Sequence, residues 1–508
     1  MTYDRGTLIL HPPPRGKGWV EYATWDDRIE KFRIPAMQYR HLLLALRAED
    51  AAVLDQAKGY AELELTIGGD KSPYPHQQGA LDAWKAAGRN GVVVLPTAAG
   101  KTYLAHLAMQ ATQRSTLIVV PTLDLMHQWY AGLLESFAGS EVGLLGGGSR
   151  DRTPILVSTY DSAAIHAETL GHQYGLVIFD ECHHLPSDFN RVIAEYAIAP
   201  FRLGLSATPE RSDGKHEDLD KLIGPVVYRR SAADLAGGAL ASHQVIQLKV
   251  TLSEGERQRY DELIAVRNDF LQASKIFLGT LAGWQRFVQA SARSAAGRKA
   301  MLAHREARSI AFGTSAKIRV LGELLAEHSG DRTLIFTDDN ATVYRVSQEL
   351  LIPAITHQTH VKERHGILQK FKSGEYPRLV ASRVLNEGVD VPEANVAIVL
   401  SGTGSTREHI QRLGRILRRG QDPTKQAVLY EVVAEGTNEE GVSKRRYGDD
   451  RQPDRRLQVI DGNAKAIQPQ DKSQNDSSKK PRSKPGTSKY PNARPRIPKA
   501  AEPLGDWD

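Results

Sequence analysis

The sequence predicts an α/β protein built from two doubly wound parallel-sheet lobes. Short runs of Val, Ile, Leu and other apolar residues recur along the chain, each followed by a turn and a helix-like segment. Strands that are apolar throughout and alternate with helices are typical of parallel sheets covered on both faces. The predicted strands form two series, at 91–95, 116–120, 155–158, 176–179 and 202–206, and at 333–336, 378–382, 395–400 and 427–433. A long helical stretch at about 253–310 separates the two series.

The same pattern divides the chain into four regions, because 508 residues are too many for a single hydrophobic core. Residues 1–70 mix short apolar pieces with one helix-like run, which predicts a small mixed N-terminal domain. Residues 71–245 hold the first strand series, and residues 246–440 hold the second series with the helical insertion near its start. Residues 441–508 are rich in Lys, Arg, Pro, Ser and Asn, a composition typical of a disordered basic tail.

The net charge of +6 comes from the tail and not from the lobes. Residues 441–508 hold 16 Lys and Arg against 9 Asp and Glu, whereas residues 1–440 hold 50 against 51. Nucleic-acid binding by the lobes must therefore come from local arrangement. The single cysteine excludes an intrachain disulfide, and we find neither a secretion signal nor the run of roughly 18 apolar residues that spans a bilayer. We therefore expect the protein to be intracellular and to have no membrane partner. It would be cytoplasmic or nucleoid-associated in a prokaryote and nuclear in a eukaryote.

The first chemical motif, TAAGKT, lies between the predicted strand 91–95 and a helix-like segment. A glycine-containing loop in this context presents backbone N–H groups and a helix N-terminus to phosphate. Lys101 would reach the outer phosphates of ATP, and Thr102 would bind Mg²⁺. The motif departs from the general pattern at Leu95 and Ala98, where glycine is frequent. The residues predicted to bind ATP here are Thr97, Ala98, Ala99, Gly100, Lys101 and Thr102.

The second motif, LVIFDECHHLP at 176–186, ends an apolar strand in two carboxylates, the only cysteine and two histidines. A zinc site, a carboxylate acid/base pair and a nucleotide-hydrolysis centre all use such residues. The zinc interpretation fails because no second cysteine or histidine pair is spaced to complete it. A phosphate-binding loop instead requires an acid at the end of a neighbouring strand. Asp180 would therefore help to bind Mg²⁺, and Glu181 would polarise the attacking water.

Six further motifs occur in the chain: PTLDLMHQW (121–129), STYDSA (158–163), LSATPERSDG (205–214), LIFTDDN (334–340), LNEGVDVPEANV (385–396) and QRLGRILRR (411–419). Together with TAAGKT and DECHH they resemble the motifs of superfamily-2 helicases. Within that group the chain resembles the compact archaeal and bacterial helicases related to xeroderma pigmentosum group B (XPB), from about Pro73 to Arg419. The resemblance implies two RecA-like lobes and an ATP-dependent DNA helicase or translocase that moves 3′→5′ in DNA repair or related DNA processing.

The resemblance also implies roles in the nucleotide site. Arg415 and Arg418 lie three apart on one helical face, and they would reach across the cleft to the phosphates, with Gln411 beside them. Gly388 and Asp390 would meet the ribose, and Gln77 would recognise adenine. The residues implied to couple hydrolysis to lobe movement are His183, Ser206 and Thr208.

Nucleic-acid contacts follow from the resemblance as well. Hydroxyls and backbone amides suit phosphate contacts, which fix position without reading bases. The implied residues are Pro121, Thr122, Thr159, Thr356 and His357, with Arg211 and Asp213 from a duplex-opening element that reads Arg-Glu-Asp in the family and Arg-Ser-Asp here. The helical insertion resembles the family's thumb, and its aromatic residues allow two interpretations: stacking on DNA, or a helical core.

Two alternatives to a DNA helicase remain open. The first is an RNA helicase, because the shared motifs contact mainly sugar and phosphate. The second is a DNA-remodelling ATPase that does not unwind, for which the Arg-Ser-Asp departure is the best support. The tail is interpreted as a nucleic-acid arm, a localisation signal or a solvated segment. A companion nuclease is a possible partner by resemblance.

Overall fold

The computed structural model describes residues 1–14, 16–69, 72–211, 213–235, 242–382, 394–402, 426–447 and 455–460. The N-terminal region is an antiparallel sheet in the order β1-β2-β4-β3 that packs on one helix. Its elements are β1 Thr2–Asp4, β2 Thr7–Leu10, β3 Thr24–Asp26, β4 Lys31–Pro35 and α1 Tyr39–Ala48. Leu8, Ile34 and Leu42 form its core, and Ile198 of the first lobe joins them. The small domain therefore packs against that lobe.

The first lobe is an eight-stranded sheet in the order β12-β5-β11-β10-β6-β9-β7-β8, parallel except for the β7/β8 pair. Its strands are β5 Asn90–Val94, β6 Thr116–Val120, β7 Val142–Gly146, β8 Ser149–Arg150, β9 Ile155–Thr159, β10 Leu176–Asp180, β11 Phe201–Ser206 and β12 Val226–Arg229. Its helices are α2 Pro75–Ala86, α3 Lys101–Thr112, α4 Leu123–Ser136, α5 Tyr160–Ile165, α6 Ala167–Leu170, α7 Val192–Glu195, α8 Leu219–Leu222 and α9 Ala232–Leu235. For each of the five strands predicted for this lobe, both ends lie within one residue of the ends of an observed strand.

The order of the strands determines where the motifs meet. Strands β6 and β11 flank β10, and β5 and β9 lie one strand further out on either side. Because these five strands are parallel, their carboxyl ends share one edge of the sheet. Every predicted site motif of the first lobe follows one of those ends.

The second lobe is a seven-stranded parallel sheet in the order β15-β16-β14-β17-β18-β13-β19. Its strands are β13 Ser242–Val250, β14 Thr333–Phe336, β15 Ala354–Ile355, β16 Arg378–Ala381, β17 Val396–Val399, β18 Gln426–Ala434 and β19 Arg455–Ile460. The helices outside the insertion are α13 Ser315–Glu327, α14 Asn340–Leu350, α15 Val361–Ser373 and α16 Asn438–Tyr447.

Two of the predicted domain boundaries fall inside observed elements. The boundary between lobes at 245 falls inside β13, which pairs with β18 and β19 of the second sheet along its length. The predicted start of the tail at 441 falls inside α16, and β19 lies beyond it. Regular structure therefore extends further towards the C-terminus than composition indicates.

The helical insertion consists of α10 Glu254–Ala273, α11 Leu281–Arg293 and α12 Ala295–Gly313. Ser253 and Glu256 form a capping box at the start of α10, which satisfies N–H groups that the helix leaves unpaired. Leu271, Phe287 and Met301 form a small core, whereas Phe277 is 76% exposed. Phe287 therefore fits the interpretation as a helical core, whereas Phe277 is exposed, as stacking on DNA would require. Among the residues described, no helix is both long enough and apolar enough to cross a membrane.

Candidate functional site

The loop between β5 and α3 has the backbone of a phosphate cradle. Gly100 has a φ of 77°, in the left-handed region, and a Cβ there would lie 2.2 Å from Gln77 Nε2. This position therefore requires glycine. Ala98 has a φ of 69°, which costs a residue with a Cβ about 1 kcal/mol. The alanine accordingly takes the conformation that glycine would adopt more easily.

Side chains around this loop hold its shape. Gln77 Nε2 donates to the carbonyls of Gly100 (3.1 Å) and Ala99 (3.4 Å), while its Oε1 accepts from the Tyr74 N–H (2.9 Å). Lys101 Nζ donates hydrogen bonds to the carbonyls of Leu95 (3.3 Å) and Pro96 (3.5 Å). The predicted adenine residue Gln77 thus contacts the phosphate-binding loop directly.

The residues present fit a bound triphosphate. The Thr97 hydroxyl oxygen is buried and lacks a hydrogen-bond partner among the residues described. An unpaired buried hydroxyl costs free energy, so a ligand oxygen near it would remove that cost. The left-handed glycine, the lysine and the N-terminus of α3 add the positive potential that phosphate requires.

The paired carboxylates lie at the end of β10, next to this loop. Asp180 is 7% exposed, and its carboxylate accepts from Trp129 Nε1 (2.9 Å) and from the Glu181 N–H (3.0 Å). Burial and the Glu181 charge raise the pKa of Asp180 to about 6, against the opposing effects of Lys101 and Trp129. Glu181 turns the chain away from the strand with a φ of 46°.

The Glu181 carboxylate is held ionised. Burial acts to raise its pKa, but the hydrogen bond from His183 and the charge of Lys101 outweigh burial and lower the pKa to about 2. Its Oε2 lies 3.4 Å from both His183 Nδ1 and Ser206 Oγ. Contacts connect Lys101 to this carboxylate: Lys101 Nζ donates to the Leu95 carbonyl at 3.3 Å, and the Leu95 N–H donates to the carbonyl of Ser206 at 3.1 Å. The three predicted catalytic groups of this lobe therefore lie around neighbouring strand ends. Oxygen donors at Asp180 and Thr102 are the kind that Mg²⁺ prefers.

The predicted coupling residues form a connected group around this carboxylate. Ser206 Oγ accepts from the Thr208 N–H at 3.1 Å and lies 3.3 Å from His183 Nδ1. Arg211 Nη1 donates to the His183 carbonyl at 2.7 Å, and its guanidinium also binds both oxygens of Asp213, at 2.9 and 2.7 Å. Arg211 and Asp213 thus contact each other, and Arg211 also contacts the acid-bearing segment.

The predicted strand-contacting residues of the first lobe lie at two helix N-termini. Thr122 follows β6, and Thr159 is the last residue of the paired strand β9. Each residue N-caps the next helix by accepting an N–H at 3.3 Å. Pro121 lies between β6 and its cap. Helix N-termini favour anions, so both caps are suited to backbone phosphates.

In the second lobe, Thr356 and His357 follow β15. The Thr356 hydroxyl accepts from the Gln358 N–H at 3.2 Å, and His357 Nδ1 accepts from Asn340 Nδ2 at 3.1 Å. Helix α15, which starts shortly after them, also reaches the first lobe, where Arg364 Nη1 lies 3.5 Å from Asp124 Oδ2 in the first turn of α4. This ion pair brings the two sets of predicted strand contacts to adjoining elements.

Five predicted residues lie outside the described part of the chain, and their roles remain predictions: Gly388, Asp390, Gln411, Arg415 and Arg418. The sequence interpretation also missed two partners of Asp180. They are Trp129, which binds its carboxylate, and Tyr160, whose hydroxyl donates to its carbonyl at 3.0 Å. Both residues lie in the quoted motifs, but nothing in the spacing shows that they reach the acid.

Two parallel-sheet lobes, with candidate nucleotide-binding motifs at the edge of the first sheet, are the arrangement expected of a superfamily-2 helicase. Three family models match the chain: the XPB helicase damage recognition domain at residues 1–57, the type III restriction enzyme res subunit at 70–211, and the ERCC3/RAD25/XPB C-terminal helicase at 305–452. The chain is 40% identical over 435 residues to the "DNA 3'-5' translocase XPB2" of Sulfurisphaera tokodaii, covering 83% of this chain and 95% of that protein. The chain belongs to the XPB family of helicases.

Other similarities agree with this assignment. The "DNA 3'-5' helicase XPB" of Mycobacterium tuberculosis is 30% identical over 455 residues, which cover 85% of this chain and 69% of that protein. The Pyrococcus furiosus Hef helicase domain matches with a TM-score of 0.52 at 20% identity, over 73% of this chain and 98% of that one. At that identity the match supports the fold alone. The predicted family, fold class and helicase ATPase class are confirmed.

Proposed function

We propose that this chain is an ATP- and Mg²⁺-dependent motor that moves 3′→5′ along DNA in repair or related DNA processing. The observation that carries the proposal is the chain of contacts that runs from Lys101 through Leu95 and Ser206 to Glu181. It lies at the sheet edge where Thr122 and Thr159 also lie. The XPB-family relatives named above supply the direction of movement and the nucleic acid.

The first lobe would hold the nucleotide through its own side chains. Thr97, Gly100 and Lys101 would bind the phosphates, while Thr102 and Asp180 would hold Mg²⁺. When bound, the ion neutralises phosphate charge during transfer. Glu181 would orient and polarise the attacking water, because His183 and Lys101 keep its carboxylate ionised.

Coupling would follow the contacts that surround Glu181. A change at its carboxylate reaches Ser206 directly and Thr208 one hydrogen bond further on. Thr208 lies in the segment that leaves the sheet after β11. We infer that this route transmits the state of the nucleotide to the strand contacts, which release and rebind phosphates as the lobes separate and close.

The choice of DNA over RNA can be tested by ATP hydrolysis. We expect a single DNA strand to stimulate hydrolysis more strongly than an RNA strand of matched length and sequence. Lys101→Ala is the control, because loss of the ammonium group should abolish the stimulated rate. Equal stimulation by RNA would favour the RNA helicase instead, and undiminished turnover in Lys101→Ala would contradict the site itself.

A motor that translocates without separating strands is the second candidate. It is favoured by the Arg211–Asp213 pair, because the two side chains bind each other within the protein. The family's Arg-Glu-Asp element has a glutamate between these two residues, and this chain has a serine. Displacement of a labelled strand from 3′-tailed and 5′-tailed duplexes decides between the two candidates. Hydrolysis with no displacement from either substrate supports translocation alone, whereas displacement from the 3′-tailed duplex supports a helicase.

The cellular setting completes the proposal. The protein would act in the compartment that holds the DNA, with a companion nuclease as partner by resemblance to prokaryotic relatives. Residues 461–508 would extend the nucleic-acid contact by charge. Removing those residues should weaken DNA binding and reduce its salt dependence.

A further inference from the structure

The junction at residues 337–340, directly after β14, connects three parts of the second lobe. The Asp338 N–H donates to Ser401 Oγ at 2.8 Å, and Ser401 also pairs with Thr337 Oγ1 at 2.9 Å. Ser401 follows β17, so this contact joins neighbouring strands of the sheet. The junction is therefore fixed to the core of the lobe.

The same junction supports the predicted strand contact. Asp339 caps α14 by accepting the Thr342 N–H at 2.8 Å, which fixes the first turn of that helix. Asn340, the first residue of the helix, donates from Nδ2 to His357 Nδ1 at 3.1 Å. The orientation of the His357 ring thus depends on the position of this junction.

The third part is the helical insertion. Arg308, near the end of α12, forms an ion pair with Asp338 through Nη2 and Oδ2. The Asp338 side chain is 2% exposed, and the Arg308 guanidinium lies 4.7 Å from the centre of the buried Phe312 ring. A charge-assisted hydrogen bond to a buried carboxylate is stronger and more directional than a surface pair.

Other contacts hold the opposite side of the insertion to a different part of the lobe. On α10, Arg257 donates to the carbonyls of Glu435 (2.5 Å) and Gly436 (3.0 Å), and the Tyr260 hydroxyl accepts the Asn438 N–H at 2.9 Å. These contacts anchor α10 near the C-terminal helix. The Arg308 pair, in contrast, anchors α12 to the junction that supports His357.

We propose that Arg308 is a positioning residue that ties the insertion to the 337–340 junction, which contacts His357, so that the insertion and the junction move together when the second lobe advances along nucleic acid. The proposal rests on the proposed function, because it assigns the tie a use in that movement. Without the tie, α12 would keep its packing in the core of the lobe through Ala307, Ala311 and Phe312. Its exposed face would no longer be fixed to the junction, so the insertion would follow the junction less closely.

A double-mutant cycle tests the tie. We expect Arg308→Gln and Asp338→Asn each to raise the single-stranded DNA concentration that half-saturates ATP hydrolysis by about five-fold. The double variant should show the same increase as either single variant, because all three variants remove the ion pair between Arg308 and Asp338. Basal hydrolysis without DNA should be unchanged, and Arg308→Lys should restore part of the loss.

Arg305→Gln is the matched control. Arg305 lies one turn earlier on α12, is exposed, and forms no ion pair among the residues described. Its variant removes the same charge without touching the junction. An effect equal to that of Arg308→Gln, or independent effects of Arg308→Gln and Asp338→Asn that multiply in the double variant, would overturn the proposal.

A measurement without DNA separates this inference from the proposed function. Spin labels at Ser274→Cys and Ser373→Cys, both exposed, report the distance between the insertion tip and α15, while the native Cys182 is buried. We expect a narrow distance distribution that broadens in Arg308→Gln and not in Arg305→Gln. An unchanged distribution would refute the tie even if DNA stimulates hydrolysis, whereas broadening without any DNA stimulation would refute the motor alone.

Discussion

Two of the places that bury ionised side chains can be compared, the carboxyl edge of the first sheet and the contact between the second lobe and its C-terminal helix. At the first place the carboxylates of Asp180 and Glu181 are adjacent, and the hydroxyl of Thr97 has no partner among the residues described. At the second, Lys317 Nζ donates to both oxygens of Glu439 at 2.7 Å and to the Leu400 carbonyl at 2.5 Å. The first arrangement is incomplete, whereas the second is neutral and closed.

The difference separates a site from a structural pair. Buried charge is costly unless the protein or a ligand compensates it. Lys317 and Glu439 compensate each other, so they can contribute to stability without a ligand. The carboxylates of the first sheet retain an excess of negative charge, which a cation would offset. Changes at the first place should therefore affect turnover, and changes at the second should affect folding.

The largest effect that this comparison predicts is on Glu181. Glu181→Gln keeps the shape of the side chain and its contact with Ser206 but removes the negative charge that would polarise the attacking water. We expect DNA-stimulated ATP hydrolysis to fall about 10²- to 10⁴-fold, with unfolding unchanged. Steady-state hydrolysis and thermal unfolding of the same samples measure both quantities. A fall in stability comparable to that of a core substitution would place Glu181 with the structural charges instead.

Lys317→Met should show the opposite behaviour. Removing one member of a buried pair leaves the other charge uncompensated, which typically costs about 3–5 kcal/mol of unfolding free energy. Denaturant unfolding measures that cost. The double variant Lys317→Met/Glu439→Leu should recover much of it, because neither charge then remains. If Lys317→Met instead left stability intact and abolished hydrolysis, the distinction between the two places would fail.

The insertion offers a third kind of buried group, one kept neutral. Burial, followed by the charges of Arg267, Arg308 and Arg305, lowers the pKa of His304 from 6.5 to about 4. Its ring packs against Trp284 and Phe287 of α11. Because the folded pKa lies below the ordinary value, protonation favours the unfolded insertion. Its stability is therefore complete above pH 6.5 and declines as the pH falls towards 4.

Hydrogen exchange of α10–α12 at pH 7, 6 and 5 measures this decline, after correction for the intrinsic exchange rate. We expect protection to decrease with acidity in the wild-type chain. His304→Phe should keep its protection over the same range, because the phenylalanine ring fills the site without titrating. Equal pH dependence in both chains would show that another group titrates.

The sequence predicted the strands well where burial makes them apolar throughout, as in β6 and β10. It missed β13, whose polar residues obscure the pattern. Gln247 of β13 is buried, and its amide donates to Ser443 Oγ (2.7 Å) and Glu431 Oε2 (3.2 Å). Those partners lie more than 180 residues away, so only the folded chain reveals why a glutamine is tolerated there.

The site followed a similar rule. Lys101, Asp180 and Glu181 were predictable because the chemistry of each lies in a short local motif. The contact of Trp129 with Asp180 was not, because a tryptophan on an amphipathic helix is ordinarily a core residue. Nor could spacing show that Arg211 binds the His183 carbonyl. Residues that orient the candidate catalytic groups depend on tertiary packing, whereas a short local motif is enough to propose the candidates themselves.

The smallest predicted effect is the sharpest test of the incomplete site. Thr97→Val replaces a buried hydroxyl that lacks a partner among the described residues with a methyl group of similar size. If the hydroxyl binds phosphate, the free energy of unfolding of the variant should be about 1 kcal/mol higher than that of the wild type, and the variant should bind ATP more weakly. Denaturant unfolding without nucleotide and titration with a fluorescent ATP analogue measure the two changes. A variant that lost both stability and affinity would show that Thr97 supports the fold, and the hydroxyl would then belong with Lys317 and Glu439 among the groups that the protein satisfies by itself.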